Sequence, residues 1–334
     1  MLRYYFVIAW SNLPIKTIYI ILSLSLNDRI CSMINSLLFS LLACFWGGSF
    51  IAIKYAISDI PAFTAAFYRV FFASIFLAII FFRSIKLNKF LWEKELIYVA
   101  LAGLCSIGIP FSLLFWGEQF IAPSIAGILN GTVPFWTLII GFVFLQDPKT
   151  ISPFKITGLF LGLIGMCFIF GPKIKMQGNI EELYGLLSLV SMAVMYGIGT
   201  NLNRKILTKN QNIKGPTSLF IQHIVAAIYL GCISIFVDGP FDLELLIISK
   251  NAWSIFYLSF FSTSLAFIIF FRLIRELGSV TASSVTFFVP AVALILDIAI
   301  NGHLLTLFEG IGTIIIFTSM YFLKEKKVVL PRSI

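Results

Sequence analysis

The feature that most constrains this chain is a succession of apolar runs, separated by short connections that carry the charge. A helix needs about 20 apolar residues to cross the hydrocarbon core of a bilayer. Runs of that kind fall at 36–57, 62–82, 96–116, 123–145, 154–171, 183–203, 217–237, 252–271, 280–300 and 306–323. The chain therefore reads as an all-α integral membrane protein with ten transmembrane helices. Only 12% of its residues are charged, where a soluble domain carries about 25%.

The net charge of +9 would suit a nucleic-acid partner if it formed one face. It does not, because the basic residues lie between apolar blocks. With the segment before the first span in the cytoplasm, the cytoplasmic side holds Arg3, Lys16, Arg29, Arg83, Lys86, Lys89, Lys94, Lys149 and Lys155. It also holds Arg204, Lys205, Lys209, Lys214, Arg272, Arg275, Lys324, Lys326, Lys327 and Arg332. The external side receives only Lys173, Lys175 and Lys250, while Lys54 and Arg69 lie within spans. This asymmetry is the one that the positive-inside rule expects, and it predicts cytoplasmic termini and a place in the cell membrane. The cysteines (31, 44, 105, 167 and 232) are scattered and mostly within apolar runs, with no metal or disulfide spacing.

Residues 1–32 contain two apolar stretches too short to cross and no small-residue cleavage site. They read as an interfacial extension or an untranslated segment, with Met33 as an alternative start. The remaining chain divides into 33–172 (spans one to five), 173–204 (span six), 205–323 (spans seven to ten) and a basic tail, 324–334.

The two halves repeat one another at a shift of about 150 residues. "FWGGSFIAIKYAI" (45–57) aligns with "MYGIGTNLNRKIL" (195–207), placing Trp46 on Tyr196 and Lys54 on Arg204. "WGEQFIAPSIAGILNGTVPFW" (116–136) aligns with "RLIRELGSVTASSVTFFVPAV" (272–292), placing Asn130 on Thr286 and Pro134 on Pro290. Five spans is an odd number, so the second copy enters the membrane from the opposite side and runs inverted. The connection after span three agrees: it carries Glu118 and no cation in the first copy, and Arg272 and Arg275 in the second. Inverted repeats of this kind characterise alternating-access carriers, whose site lies between the halves near mid-membrane.

With these motifs in place, the chain resembles the drug/metabolite transporter superfamily, specifically the EamA family with its two five-helix repeats. The resemblance rests on "WGGSF" in span one, the Pro61 to Arg69 spacing in span two, the 116–136 stretch, and "STSLAFIIFFRLIRELGSVTASSVTFFVPAVAL" in the second copy. It covers about 35–323 and implies export of amino acids or related metabolites. There are departures: where relatives carry Gly-Glu before the fifth helix of each repeat, this chain has Asp147 and His303, and Asp297 stands where a small residue is expected.

Candidate solute-binding residues follow from position and chemistry. Pro134 and Pro290 cannot donate to the carbonyls four residues earlier. They mark helix bends that free the Asn130 and Thr286 carbonyls, for a watery cavity or for a packed kink. Trp46 and Tyr196, each beside a glycine, suit a cavity wall or ordinary packing; Trp136 is the third aromatic candidate. Arg69 lies about 12 Å into span two at 1.5 Å per residue. It is read either as counter-charge to a carboxylate substrate or, preferentially, as a structural or gating partner of Glu118 or a helix-end carbonyl. His223, roughly matching Arg69 in the second copy, and Asp297 are candidates for proton coupling. Glu118 is a candidate external gate.

The cavity is expected between spans one, three, four, six, eight and nine. The glycines at 158, 162 and 165 are expected to serve packing within the chain rather than a homodimer. HExxH, GxGxxG and Walker-type loops are absent from the sequence, so no catalytic residue, metal or cofactor is expected. The predicted function is secondary transport of a small organic solute, with an intramembrane enzyme, a channel, an importer or a multidrug exporter as alternatives.

Overall fold

The computed structural model describes residues 33–84, 94–121, 123–145, 152–173, 178–209, 215–246, 248–289, 291–292, 294 and 306–323. Residues 1–32 and 324–334, together with Asp147, Pro290, Asp297 and His303, lie outside the described residues. The regular elements among those described are all helical. Seven are long and apolar enough to cross a membrane: α1 (Met33–Ala56), α2 (Ala62–Ile80), α3 (Glu95–Gly117), α4 (Ile125–Val143), α6 (Ile180–Thr208), α7 (Gly215–Val237) and α8 (Lys250–Leu277). Two apolar helices are shorter, α5 (Pro153–Phe170) and α10 (Leu307–Leu323). Helix α9 (Ser279–Ser283) runs into a 3₁₀ turn, Ser284–Phe287.

These helices are apolar on their outer faces as well as their inner ones. Phe71, Ile75 and Ile79 on α2, and Ile228, Ile235 and Phe236 on α7, are exposed. In water such stripes would be a liability; against lipid they are the surface a multi-pass membrane protein needs. The inward faces build two main apolar clusters. One is centred on α2, α3, α6 and α7, with Ile53, Leu77, Phe115 and Met192 fully buried. The other joins α1, α5, α8 and α9 through Leu42, Leu159, Met166 and Phe287.

Several packed pairs map onto one another, or onto themselves, when each helix is exchanged with the one five places on. α5 packs on α10, α2 on α7, and α4 on α9. α3 packs on α6 and α7, as α8 packs on α1 and α2. The tightest of these crossings is built on glycine. A Cβ on Gly165 would stand 2.7 Å from the Gly312 carbonyl oxygen, and one on Gly312 would stand 2.6 Å from that of Gly165. Gly158 faces the end of α10 and Gly162 faces Phe287. The glycine face of α5 is thus covered from within the chain.

Departures from regular helix occur at equivalent places. α3 contains a π-helical segment, Leu104–Gly108, and α8 contains one at Tyr257–Leu265. Each widens the helix and diverts backbone carbonyls from the ordinary ladder. α4 is broken between Asn130 and Val133: Pro123–Asn130 ends, Gly131 and Thr132 turn, and Val133–Leu145 resumes with Pro134 in its first turn. Proline is tolerated in a first turn, where its missing N–H is not needed. After α8 the chain turns at Gly278, whose φ of 82° suits glycine and strains other residues.

Candidate functional site

Between the bent helices lies a cavity. The space open to the centre of a water-sized sphere is about 60 Å³, against the ~10–15 Å³ that one buried water needs on that measure. Its lining draws on α1 (Trp46, Ser49, Phe50), α3 (Ser106, Phe111, Leu114), α4 (Asn130, Val133), α6 (Tyr196, Thr200), α8 (Phe267, Phe270) and the α9 region (Ser283, Thr286). It also draws, through Arg69, on α2, a helix outside the six spans expected from the sequence to form the lining.

The structure therefore brings Trp46, Asn130, Tyr196 and Thr286 together on one cavity, with each residue facing the same space as its counterpart from the other half. Asn130 stands at the α4 break, where its side-chain amide has no hydrogen-bond partner among the described residues. Thr286 lies in the 3₁₀ turn and donates to the Ser283 carbonyl (3.0 Å). Trp46 packs edge-on to Phe267 and Phe270.

Arg69 is 2% exposed and its hydrogen-bond partners are all on α8. Its Nε donates to Thr263 Oγ1 at 2.7 Å, and its Nη2 reaches the Ser262 carbonyl (3.3 Å) and Oγ (3.1 Å). The Trp46 indole N–H donates to that same carbonyl at 3.2 Å. Both acceptors lie in the π-helical segment, where Thr263 Oγ1 in turn donates to the Leu258 carbonyl five residues back. The guanidinium carbon sits 4.0 Å from the centre of the Phe111 ring, a cation–π stack. Its remaining nitrogen, Nη1, is buried without a partner. The partner expected from the sequence is Glu118 or a helix-end carbonyl. The carbonyl found is mid-helical, and no Arg69–Glu118 ion pair forms.

The other candidates lie elsewhere. Glu118 caps the end of α3, buried with both carboxylate oxygens unpartnered, and does not line the cavity. Trp136 packs in the core, with its backbone against Gly197 of α6. His223 is fully buried behind the lining, with Nδ1 2.8 Å from the Leu219 carbonyl and its ring edge-on to Phe267.

The match to Arg69 is one position earlier than His223. Ser106 Oγ donates to Gln222 Oε1 at 3.2 Å, repeating on α3 and α7 the contact that Ser262 makes with Arg69 on α8 and α2. Gln222 Nε2 continues to Asn203 and Ser218. Sequence reading missed Ser106, Ser262, Thr263 and Gln222. A signal existed: the small polar cluster "STS" at 262–264 interrupts an apolar run, and Ser106 lies at the same repeat shift.

A multi-pass helical bundle whose broken helices enclose a small cavity, lined by aromatic rings, neutral polar groups and one cation, is the architecture of a membrane transporter. A profile of the EamA-like transporter family matches residues 33–171 and 183–324, and the chain belongs to that family. It is 26% identical over 299 residues to an uncharacterized transporter of Buchnera aphidicola, covering 86% of this chain and 96% of that one. It is 25% identical over 253 residues to the uncharacterized transporter YoaV of Bacillus subtilis, covering 75% and 82% of the two chains. An uncharacterized transporter of Archaeoglobus fulgidus is 24% identical over 289 residues, covering 86% and 98%. A solved crystal structure with 12% identity superposes with a TM-score of 0.70, covering 86% of this chain and 95% of that one, which shows a shared fold. The family and these relatives carry transporter names, not enzyme names.

Proposed function

We propose that this protein is a secondary active transporter of the cell membrane that moves a small organic metabolite by alternating access, as an exporter. The observation that carries the reading is the cavity lining: Trp46 and Tyr196, and Asn130 and Thr286, are repeat-related pairs facing one space. A site on the axis between two similar halves is reached from either side as those halves rock. Ten spans with the second five inverted and both termini cytoplasmic would make that rocking symmetric across the membrane. The charge asymmetry of the connections and the helix pairs that map onto one another support this topology. With no nucleotide motif in the sequence, the driving force is a gradient. Protons are the candidate coupling ion, with Asp297, Glu118 and His223 as the groups to test.

The test is flux in proteoliposomes containing the full chain, across a panel of metabolites, with and without an imposed proton gradient. Saturable counterflow of at least one solute is expected. Folded protein that moves no solute in either direction, and that hydrolyses a substrate instead, would overturn the carrier reading.

A further inference from the structure

We infer that the solute is a small monocarboxylate with an apolar body, and that Arg69 Nη1 is the group that receives its carboxylate. The inference rests on the transporter reading and narrows it. A guanidinium has five N–H donors in a fixed plane. Here Nε and Nη2 are engaged by Thr263 and Ser262, which locks the plane, while buried Nη1 has no partner on a side chain that lines the cavity. A buried cation in a membrane protein is costly and ordinarily pairs with an opposite charge. Glu118 acts on Arg69 only through space, from the buried end of α3; no acid side chain lies within ion-pair distance of Arg69 among the described residues, and none lines the cavity. A carboxylate at hydrogen-bond distance from Nη1 is what the protein leaves to the cargo.

The remaining walls decide what the rest of the cargo is. Trp46, Phe111 and Phe267 give flat apolar surface, and Asn130 and Tyr196 give polar groups without charge. A positive charge on the solute, such as the ammonium group of an amino acid, finds no carboxylate there. A phosphate would need more donors than one open nitrogen and a few hydroxyls supply. The cavity thus selects a carboxylate without an ammonium group, a narrower class than the amino acids that the family resemblance implies.

The experiment uses the full chain in lipid nanodiscs and three probes that share one ring and differ in charge: 3-phenylpropionate, phenylalanine and phenethylamine. Binding is read by displacement of radiolabelled phenylpropionate and by tryptophan fluorescence. Phenylpropionate is expected to bind about tenfold or more tighter than phenylalanine, and phenethylamine to show no saturable binding. Arg69→Gln should lose phenylpropionate binding by about tenfold to a hundredfold, and Arg69→Lys should recover part of it. If Arg69→Gln fails to fold, Asn130→Asp supplies the same answer, because a carboxylate in the lining should abolish phenylpropionate binding and admit phenethylamine. Equal or tighter binding of phenylalanine or phenethylamine to the wild type overturns the carboxylate assignment, while leaving the carrier reading to the flux assay. Wild-type phenylpropionate affinity in a folded Arg69→Gln protein overturns the role of Arg69.

Discussion

Trp46 and Arg69 donate to one and the same acceptor, the carbonyl oxygen of Ser262, at 3.2 and 3.3 Å. Two helices of the first half are thereby fastened to the π-helical segment of α8, at the wall of the cavity. The π segment makes this geometry available, because its widened turn presents a carbonyl sideways to donors outside its own helix. Two side chains of the cavity lining, Trp46 and Arg69, therefore share one contact with the second half.

Trp46→Phe keeps a ring in the cavity wall and removes only the N–H. It should cost about 1 kcal/mol of stability, the net worth of one hydrogen bond, read as a lowered midpoint of thermal unfolding in detergent. Trp46→Ala also strips aromatic surface from the cavity, so it should weaken solute binding more than Trp46→Phe does. Equal effects of the two on binding would mean that the ring does not contact the solute.

The α5–α10 crossing predicts a sharp dependence on side-chain volume. Gly165→Val would drive a branched side chain into the Gly312 carbonyl, at 2.7 Å from the first added carbon, and into Ile316. Overpacking of this kind costs about 1–3 kcal/mol. Gly171→Ala at the end of the same helix meets nothing within 4 Å, and should shift stability by less than about 0.5 kcal/mol. Because the stripe is covered from within the chain, Gly165→Val should change the unfolding midpoint and leave the mass by light scattering unchanged.

The start of α2 is capped from another helix. Pro61 has no side-chain donor or acceptor to offer, and Asp238, just past the end of α7, fills the role: its Oδ2 accepts from the Thr64 N–H at 2.7 Å and from Thr64 Oγ1 at 2.9 Å. A carboxylate at a helix N-terminus also opposes the positive end of the helix dipole. Asp238→Ala should cost about 0.5–2 kcal/mol, with faster amide exchange at 62–65 as the specific readout. Exchange that rises evenly over the whole of α2 would argue against a local cap.

Much of the fold was legible because a membrane leaves few choices. A run of about 20 apolar residues in lipid must be a helix, since every backbone group needs an internal partner. The cavity residues found through the repeat were legible for a related reason: positions that match between two similar halves lie near the axis that relates them, and Trp46, Tyr196, Asn130 and Thr286 face one space. What the sequence hid was rotation about a helix axis. Arg69 sits on a helix apolar all round, with no polar stripe to say which way the residue faces. Its direction is set by the π segment of α8, and a π-helix has no residue signature comparable to proline's. The same lack of pattern explains the one-residue slip that put His223, rather than Gln222, opposite Arg69.

The last prediction separates a cavity residue from a packing residue. Asn130 lines the cavity at the break in α4, its side chain half-buried and without a protein partner. Asn130→Leu keeps the branched shape and removes the amide, and with cavity space beside it no buried hydrogen bond is lost, so stability should change by less than about 0.5 kcal/mol. A solute that hydrogen-bonds there would lose about 0.5–1.5 kcal/mol of binding, a severalfold rise in its half-saturation concentration. Membrane insertion and unfolding midpoint should remain those of the wild type. Thr286→Val, its counterpart in the second half, removes a hydroxyl already donated to Ser283 and should have a smaller effect on flux. Unchanged half-saturation in Asn130→Leu would assign that side chain to packing, and the polar end of the solute would then have to be sought at Tyr196 and Thr200.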